Sequence, residues 1–215
     1  MLTTRADGDA RPVTLGGDAP SETLHKSIFD RPWSFVHQVH GRRVVAVRQG
    51  GHAGLEDADA LVTEDTETPL CVLGADCALV GLSSDGGVVA AAHAGWRGLA
   101  SGVIEATASA MRERGGGEIS AVVSASVHPE CYPFSPVDLD AVAAVFGDVV
   151  RARASSGEVA LDLPRAVGLA LARAGVEDVQ EINSCTACGQ DWFSHRGRGD
   201  RARQALVIWR ERGGG

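Results

Sequence analysis

Three short segments of the chain each combine a metal-binding side chain with a neighbouring glycine. They are His37-Gln38-Val39-His40-Gly41, Gly74-Ala75-Asp76-Cys77 and His93-Ala94-Gly95-Trp96-Arg97-Gly98. Each lies at the end of an apolar run, and glycine lets the backbone approach a bound group closely. One cysteine and two histidines are a familiar catalytic zinc set, in which a fourth position stays open for water or substrate. The residue types therefore indicate a zinc site formed by His40, Cys77 and His93.

The spacing of these residues leaves other interpretations open. Positions 40, 77 and 93 are 37 and 16 residues apart, whereas the ligands of zinc fingers occur in close pairs. The same side chains can form a Cys-His hydrolase, with Cys77 as nucleophile and His93 as general base. A metal-binding or partner-binding module without catalytic activity is a third alternative.

Two arginines are candidate anion contacts. Arg97 stands at the start of a predicted helix, where free N–H groups and the helix dipole attract anions, and its guanidinium suits phosphate. Arg196 is the second candidate. The alternatives are a surface salt bridge for Arg97 and a solvated basic loop for Arg196. Asp76 either orients a metal ligand or forms a turn.

The remaining cysteines give weaker signals. Cys185-x-x-Cys188 is consistent with a redox pair or with half of a zinc site, but the sequence contains no second CxxC. His128 and Cys131 lie in a predicted loop, where they either line the pocket or have no role.

The composition is that of a folded globular protein. The chain has 215 residues, 44% of them apolar, and a net charge of −8, which argues against nucleic acid as a partner because phosphate binding needs a concentrated basic field. No apolar run reaches the length of a membrane span, and the first thirty residues lack the pattern of a secretory signal. We therefore expect a cytoplasmic protein whose cysteines are thiols or ligands.

Strand and helix patterns intermix along the chain and predict an α/β or α+β layered fold. Predicted strands cover 33–40, 43–48, 60–63, 70–73, 78–82, 87–93, 119–126, 179–182 and 205–209, and predicted helices cover 99–114, 138–146 and 162–174. Residues 1–30 are predicted to be a polar N-terminal arm, frayed or with short weak strands, and 211–215 a disordered tail. One catalytic domain is expected over 31–210.

The motifs QVHG (38–41), DADALVT (57–63), GADC (74–77), HAGWRGLASGVIEAT (93–107) and CT…WFSHR (185–196) occur in a specific order. In these segments the chain resembles the multicopper polyphenol oxidase or laccase-domain family. That family is also described as peptidoglycan editing factor and as laccase-domain purine nucleoside phosphorylase. The resemblance covers about residues 35 to 209.

The resemblance implies a single-domain, layered α/β/β/α sandwich with His40, Cys77 and His93 as the metal ligands. It implies a zinc-dependent enzyme that takes a small nucleoside and phosphate, and phosphorolyses adenosine, inosine or methylthioadenosine. Adenosine deamination is also attributed to the family. Alternatives are a peptidoglycan-precursor editing hydrolase and a polyphenol oxidase with copper in place of zinc, although seven scattered histidines without an H-x-H pair do not match a multicopper centre.

The chain also departs from the family pattern. An Asn-Arg motif ahead of QVHG is missing, Ser124 to Pro133 replaces a Gly-Pro-x-Ile stretch, and His195-Arg196-Gly197-Arg198 replaces a paired Arg-Arg-Asp. The sequence thus indicates a divergent member and leaves its physiological substrate and oligomeric state open.

Overall fold

A computed structural model of the chain describes residues 1–17, 20–48 and 53–212. The helices among these residues are α1 (Pro20–Ile28), α2 (Trp96–Ser101), α3 (Val103–Arg112), α4 (Pro136–Phe146), α5 (Leu163–Arg173) and α6 (His195–Arg198). The strands are β1 (Phe35–His37), β2 (Val44–Ala46), β3 (Ala53–Asp57), β4 (Ala60–Thr63), β5 (Leu70–Gly74), β6 (Ala78–Ser84), β7 (Val89–Ala94), β8 (Ile119–Val123), β9 (Arg151–Arg153), β10 (Val159–Leu161), β11 (Asp178–Glu181) and β12 (Gln204–Ile208).

The largest sheet has six strands in the order β11-β8-β6-β7-β4-β2. Its centre is antiparallel, and its two outer pairs, β11 with β8 and β2 with β4, are parallel. Strand β5 pairs with β12 in an antiparallel ribbon, β1 pairs with β3 in parallel, and β9 pairs with β10. The observed sheet is therefore mixed, in agreement with the irregular order of the predicted elements.

The side chains divide into three apolar clusters that define the layers. Along β6 and β7, Val80 and Ala92 face the helices α3 to α5, while Leu79 and Ala91 face the β5–β12 ribbon. The far face of this ribbon carries Cys71, Leu73, Ala205 and Val207 of the third cluster, and Leu24 and Ile28 of α1 pack against that cluster. Because successive side chains of a strand point to opposite faces, strands buried on both faces read as continuous apolar runs. The predicted α/β/β/α layering is confirmed.

The predicted helix over 99–114 is two helices. Helix α2 begins three residues earlier, at Trp96, and ends at Ser101; its C-cap is Gly102, whose φ of 87° and ψ of 39° are left-handed. Helix α3 then runs from Val103 to Arg112. Apolar periodicity continues through such a break, so the sequence pattern did not reveal it, but glycine adopts the required conformation without strain.

The described residues among the first thirty are more ordered than the expected polar arm. They contain the unpredicted helix α1, whose Leu24 and Ile28 pack on the third cluster, and Ala10 is completely buried. The ring of His25 stacks on Trp33 with centroids 4.2 Å apart. The fourth layer of the sandwich is thus built from a segment with little sequence signal.

At the other end, Gly213 to Gly215 of the predicted tail lie outside the described residues, and Arg212 forms an ion pair with Glu67 at 2.6 Å. His52, which its polar surroundings in the sequence predict to be a surface residue, also lies outside the described residues. Among the helices that the structure describes, none combines the length and the apolar character needed to cross a bilayer.

Candidate metal centre and substrate pocket

The three predicted ligands meet at one end of the sandwich, although each comes from a different connection. His40 follows β1, Cys77 lies in the corner between β5 and β6, and His93 is near the end of β7, in register with Leu79 of β6. Their ligand atoms all lie within 4.8 Å of one another. Cys77 Sγ is 3.8 Å from His40 Nε2, and the two imidazole rings are 4.8 Å apart at an interplanar angle of 76°.

This arrangement fits a metal ion. Tetrahedral zinc, with Zn–S about 2.3 Å and Zn–N about 2.0 Å, would hold sulfur and nitrogen about 3.5 Å apart, close to the observed distance. Gly95 leaves room for the ligands, because a Cβ there would lie 2.6 Å from His40 Cδ2 and 3.1 Å from Cys77 Sγ. The group of His40, Cys77 and His93 can therefore hold a metal ion.

Asp59 is a residue of the site that the sequence analysis missed. It lies directly before β4 and is completely buried, and its carboxylate accepts hydrogen bonds from His93 Nδ1 (2.8 Å) and from the backbone N–H groups of His40 (2.9 Å), Gly41 (2.6 Å) and Val39 (3.2 Å). Asp59 thus orients one ligand through its ring and another through its backbone. The sequence signal for Asp59 was its position within the motif DADALVT (57–63).

Asp59 is held as a carboxylate. Burial opposes its ionisation, but the hydrogen bonds from His93 and from the N–H groups of Gly41 and Val39 outweigh this and lower its pKa. A charged Asp59 requires a proton on His93 Nδ1, which leaves Nε2 as the atom available to a metal.

Cys77 and His93 shift each other's protonation. Burial opposes a thiolate, but His93 and then His40 lower the pKa of Cys77 to about 6. Burial likewise opposes an imidazolium, but Cys77 and Asp59 raise the pKa of His93 to about 9. In the absence of a metal ion, the pair therefore favours thiolate and imidazolium near neutral pH.

The group of His40, Cys77 and His93 lies in a pocket of about 500 Å³ that also contains both predicted anion contacts. Arg97 is exposed and stacks on the ring of Trp96, with its Cζ 4.1 Å from the ring centroid. Arg196 Cζ lies 4.8 Å from the ring centroid of Tyr132. Neither arginine forms an ion pair with a described residue, so the surface salt bridge considered for Arg97 is not found there.

Other arginines of the basic segment from Arg196 to Arg203 have internal partners. Arg198 donates to the backbone carbonyls of Thr186, Ala187, Gly189 and Trp192. Arg203 donates to the carbonyls of Asp200, Arg201 and Ala202. The segment is therefore held in place by its own arginines.

The N-terminal segment also contributes to the pocket. Arg11 and Leu15 line it, and Arg11 is paired with Asp9 at 2.7 Å. The sequence predicts a polar arm here, because nothing in the local pattern shows that this segment reaches a distant pocket.

Asp76 forms a turn and connects two loops rather than contacting a metal ligand through its carboxylate. Its φ is 98°, and its carboxylate accepts hydrogen bonds from Thr186 Oγ1 (2.7 Å), Ser194 Oγ (2.6 Å) and the Arg196 N–H (2.6 Å). The corner that carries Cys77 is thereby tied to the start of α6, the short helix that carries Arg196.

The fold and the motifs agree with known proteins. A family model described as multi-copper polyphenol oxidoreductase laccase matches residues 21–211. A purine nucleoside phosphorylase of Streptomyces coelicolor is 36% identical over 179 residues, which are 81% of this chain and 74% of the relative. One from Corynebacterium glutamicum is 33% identical over 181 residues, 81% and 73% of the two chains.

Solved structures show the same architecture. A protein of Neisseria meningitidis superimposes with a TM-score of 0.80 at 29% identity, covering 95% of this chain and 84% of that one. The YlmD protein of Geobacillus stearothermophilus gives a TM-score of 0.85 at 24% identity, covering 98% and 91% of the chains, which demonstrates a common fold.

Proposed function

This chain belongs to the multi-copper polyphenol oxidoreductase laccase family, and we propose that within it the chain is a zinc-dependent purine nucleoside phosphorylase. Its substrates would be adenosine, inosine or methylthioadenosine together with phosphate. The observation that carries the proposal is that one pocket combines the group of His40, Cys77 and His93 with two arginines, Arg97 and Arg196, that have no carboxylate partner among the described residues. The relatives named purine nucleoside phosphorylase support the reaction class.

The arginines are suited to bind the phosphate nucleophile. Both guanidinium groups are kept in the pocket by aromatic rings, Trp96 for Arg97 and Tyr132 for Arg196. Guanidinium forms strong, directional hydrogen bonds to phosphate oxygens. A phosphate held there would attack the sugar carbon of the glycosidic bond, which breaks to release the purine base and a ribose 1-phosphate.

The metal group would lie against the same substrate. His40, Cys77 and His93 would supply three ligands and leave a fourth position to an oxygen of substrate or water. When bound, a zinc ion there supplies Lewis acidity, which stabilises negative charge on such an oxygen and lowers the pKa of a bound water. Asp59 contributes by keeping His93 in one tautomer and orientation.

A second candidate function follows from the same geometry. The series Asp59, His93 and Cys77 has the order of an acid-base-nucleophile triad, and the pKa of Cys77 is lowered to about 6. Such a Cys-His hydrolase would work without a metal ion. Copper at the same three residues would instead support weak polyphenol oxidation, because Cys and His ligands also suit copper.

The test is elemental analysis of the purified protein combined with chromatography of adenosine reactions with and without phosphate. One zinc at the His40 group and phosphate-dependent formation of adenine with ribose 1-phosphate are expected. Inosine as the product would indicate deamination, and adenine formed without phosphate would indicate hydrolysis. Activity of protein stripped of metal would rule out the zinc-dependent mechanism and favour Cys77 as the nucleophile.

A further inference from the structure

Three cysteines outside the pocket form a second cluster. Cys131, Cys185 and Cys188 have sulfur atoms that all lie within 4.8 Å of one another. The Sγ atoms of Cys131 and Cys188 are 2.7 Å apart, and a tetrahedral zinc ion between them would move them to about 3.8 Å. All three are free thiols in the structure. None of them lines the pocket described above, so the cluster is separate from the His40 group.

The sequence around this cluster consists of two matching halves. His128-Pro129-Glu130-Cys131 and Cys185-Thr186-Ala187-Cys188 each place two residues between potential ligands. Structural zinc sites with Cys₃His ligands use such close pairs. The sequence alone showed only the CxxC half, and the fold supplies its partner by placing an H-x-x-C segment beside it.

The backbone around the thiols has the contacts expected of metal-bound sulfur. The N–H of His128 donates to Cys185 Sγ at 3.4 Å. Hydrogen bonds to ligand atoms orient them and tune their basicity. The contact also brings the first residue of one half against the first cysteine of the other.

We infer that this cluster binds a second zinc ion, with the thiolates of Cys131, Cys185 and Cys188 as three ligands and His128 as the fourth. Binding of Zn²⁺ releases the three thiol protons and involves no change of oxidation state. The His128 imidazole lies 3.6 Å from Glu130 in the present structure, so it would turn towards the thiols when the ion binds. A site with four protein ligands has no open position and is structural.

The position of the cluster indicates what such an ion would stabilise. Tyr132, which packs under Arg196 in the pocket, directly follows Cys131. Thr186, which donates to Asp76 Oδ1 at 2.7 Å, directly follows Cys185. The second zinc would therefore hold together the two loops that form the Arg196 side of the pocket.

The first test is the zinc content of the full-length protein purified with reductant and zinc. We expect two zinc ions per chain, and one in Cys188→Ser, which changes an exposed residue. Cys77→Ala should also hold one, and the double variant none. As a control, Cys71→Ser changes a buried thiol outside both clusters and should retain two. An unchanged zinc content in Cys188→Ser would overturn the inference. A protein without zinc at the His40 group would contradict only the proposed function.

The second test uses cobalt in place of zinc in the Cys77→Ala protein. Three thiolate ligands should give a strong sulfur-to-cobalt charge-transfer absorption, and the additional change Cys188→Ser should weaken it markedly. A Cys131–Cys188 disulfide that persists by mass spectrometry in zinc-replete, reduced protein would contradict the inference, because the ion requires both thiolates.

Discussion

Asp59 Oδ1 lies 2.8 Å from His93 Nδ1, and the two side chains are 0% and 4% exposed to solvent. The same carboxylate accepts the backbone N–H of His40. A single buried acid thus fixes two of the three side chains that can bind a metal ion. It acts on His93 through the imidazole ring and on His40, whose φ is 60°, through the backbone N–H.

Asp59→Asn should weaken metal binding by about 10- to 100-fold, the usual effect of losing such a supporting group. The amide lacks the negative charge that stabilises the metal-bound imidazole of His93. Competition with a chelator measures the change. Asp57→Asn is the control, since Asp57 is exposed and contacts His37. Equal affinities of the Asp59 and Asp57 variants would show that the carboxylate does not support the site.

Cys77→Ala should remove the metal ion from the His40 group and abolish activity while the fold is retained. The residue lies in a corner between strands and contributes little to the apolar clusters. Elemental analysis and circular dichroism measure the two properties together. If the variant bound metal at this group as tightly as the natural protein, the ligand assignment would be wrong.

Gly95→Ala should displace His40, because the new Cβ would lie 2.6 Å from His40 Cδ2. We expect a large loss of metal affinity, measured with a chelator, in a protein that still unfolds cooperatively. Gly168→Ala is the matched control. Gly168 lies within α5 with open space around it, so alanine there should leave metal binding unchanged and stabilise the protein by up to about 1 kcal/mol. Similar metal affinity in both variants would contradict the close packing at Gly95.

Arg97→Ala should raise the KM for phosphate by about tenfold or more, since a hydrogen bond to a charged group contributes about 1.5–3 kcal/mol. The KM for the nucleoside should change less. Steady-state kinetics with each substrate varied in turn separates the two constants. Arg153→Ala is the control, because it removes an equal charge from the short strand β9, outside the pocket. An unaltered phosphate KM in Arg97→Ala would place the anion site elsewhere.

The reactivity of Cys77 in metal-free protein should depend on pH with a midpoint of about 6. Because His93 and His40 lower the pKa, the thiolate forms as pH rises through 6. Alkylation, which requires the thiolate, should therefore already be near its maximum at pH 8. Rates with iodoacetamide, followed by peptide mass spectrometry, give the profile, and added zinc should suppress it. A midpoint near 9 would show that the imidazoles do not stabilise the thiolate.

Much of the architecture could be read from local patterns. The runs at 70–73, 78–82 and 89–92 are apolar because those strands are buried on both faces. Asp162 caps α5 by accepting the Arg165 N–H at 2.9 Å, as its residue type predicts. Helix caps, glycine turns and the alternation of side chains along a strand all depend on residues close together in sequence. They therefore leave a local signal.

The types of the three candidate metal ligands were also evident, because cysteine and histidine at glycine-rich strand ends are chemically distinctive. Their convergence depended on a mixed sheet whose strand order does not follow the sequence. Arg11 of the N-terminal segment likewise reaches the pocket only in the folded chain, as the H-x-x-C segment reaches Cys185.

Residue chemistry and local conformation were thus determined by the sequence itself, since they depend on side chains a few positions apart. Which carboxylate supports His93, which arginines share a pocket and which thiols meet were decided only by tertiary structure. Those contacts join residues tens of positions apart, and only the packing of complete layers selects them.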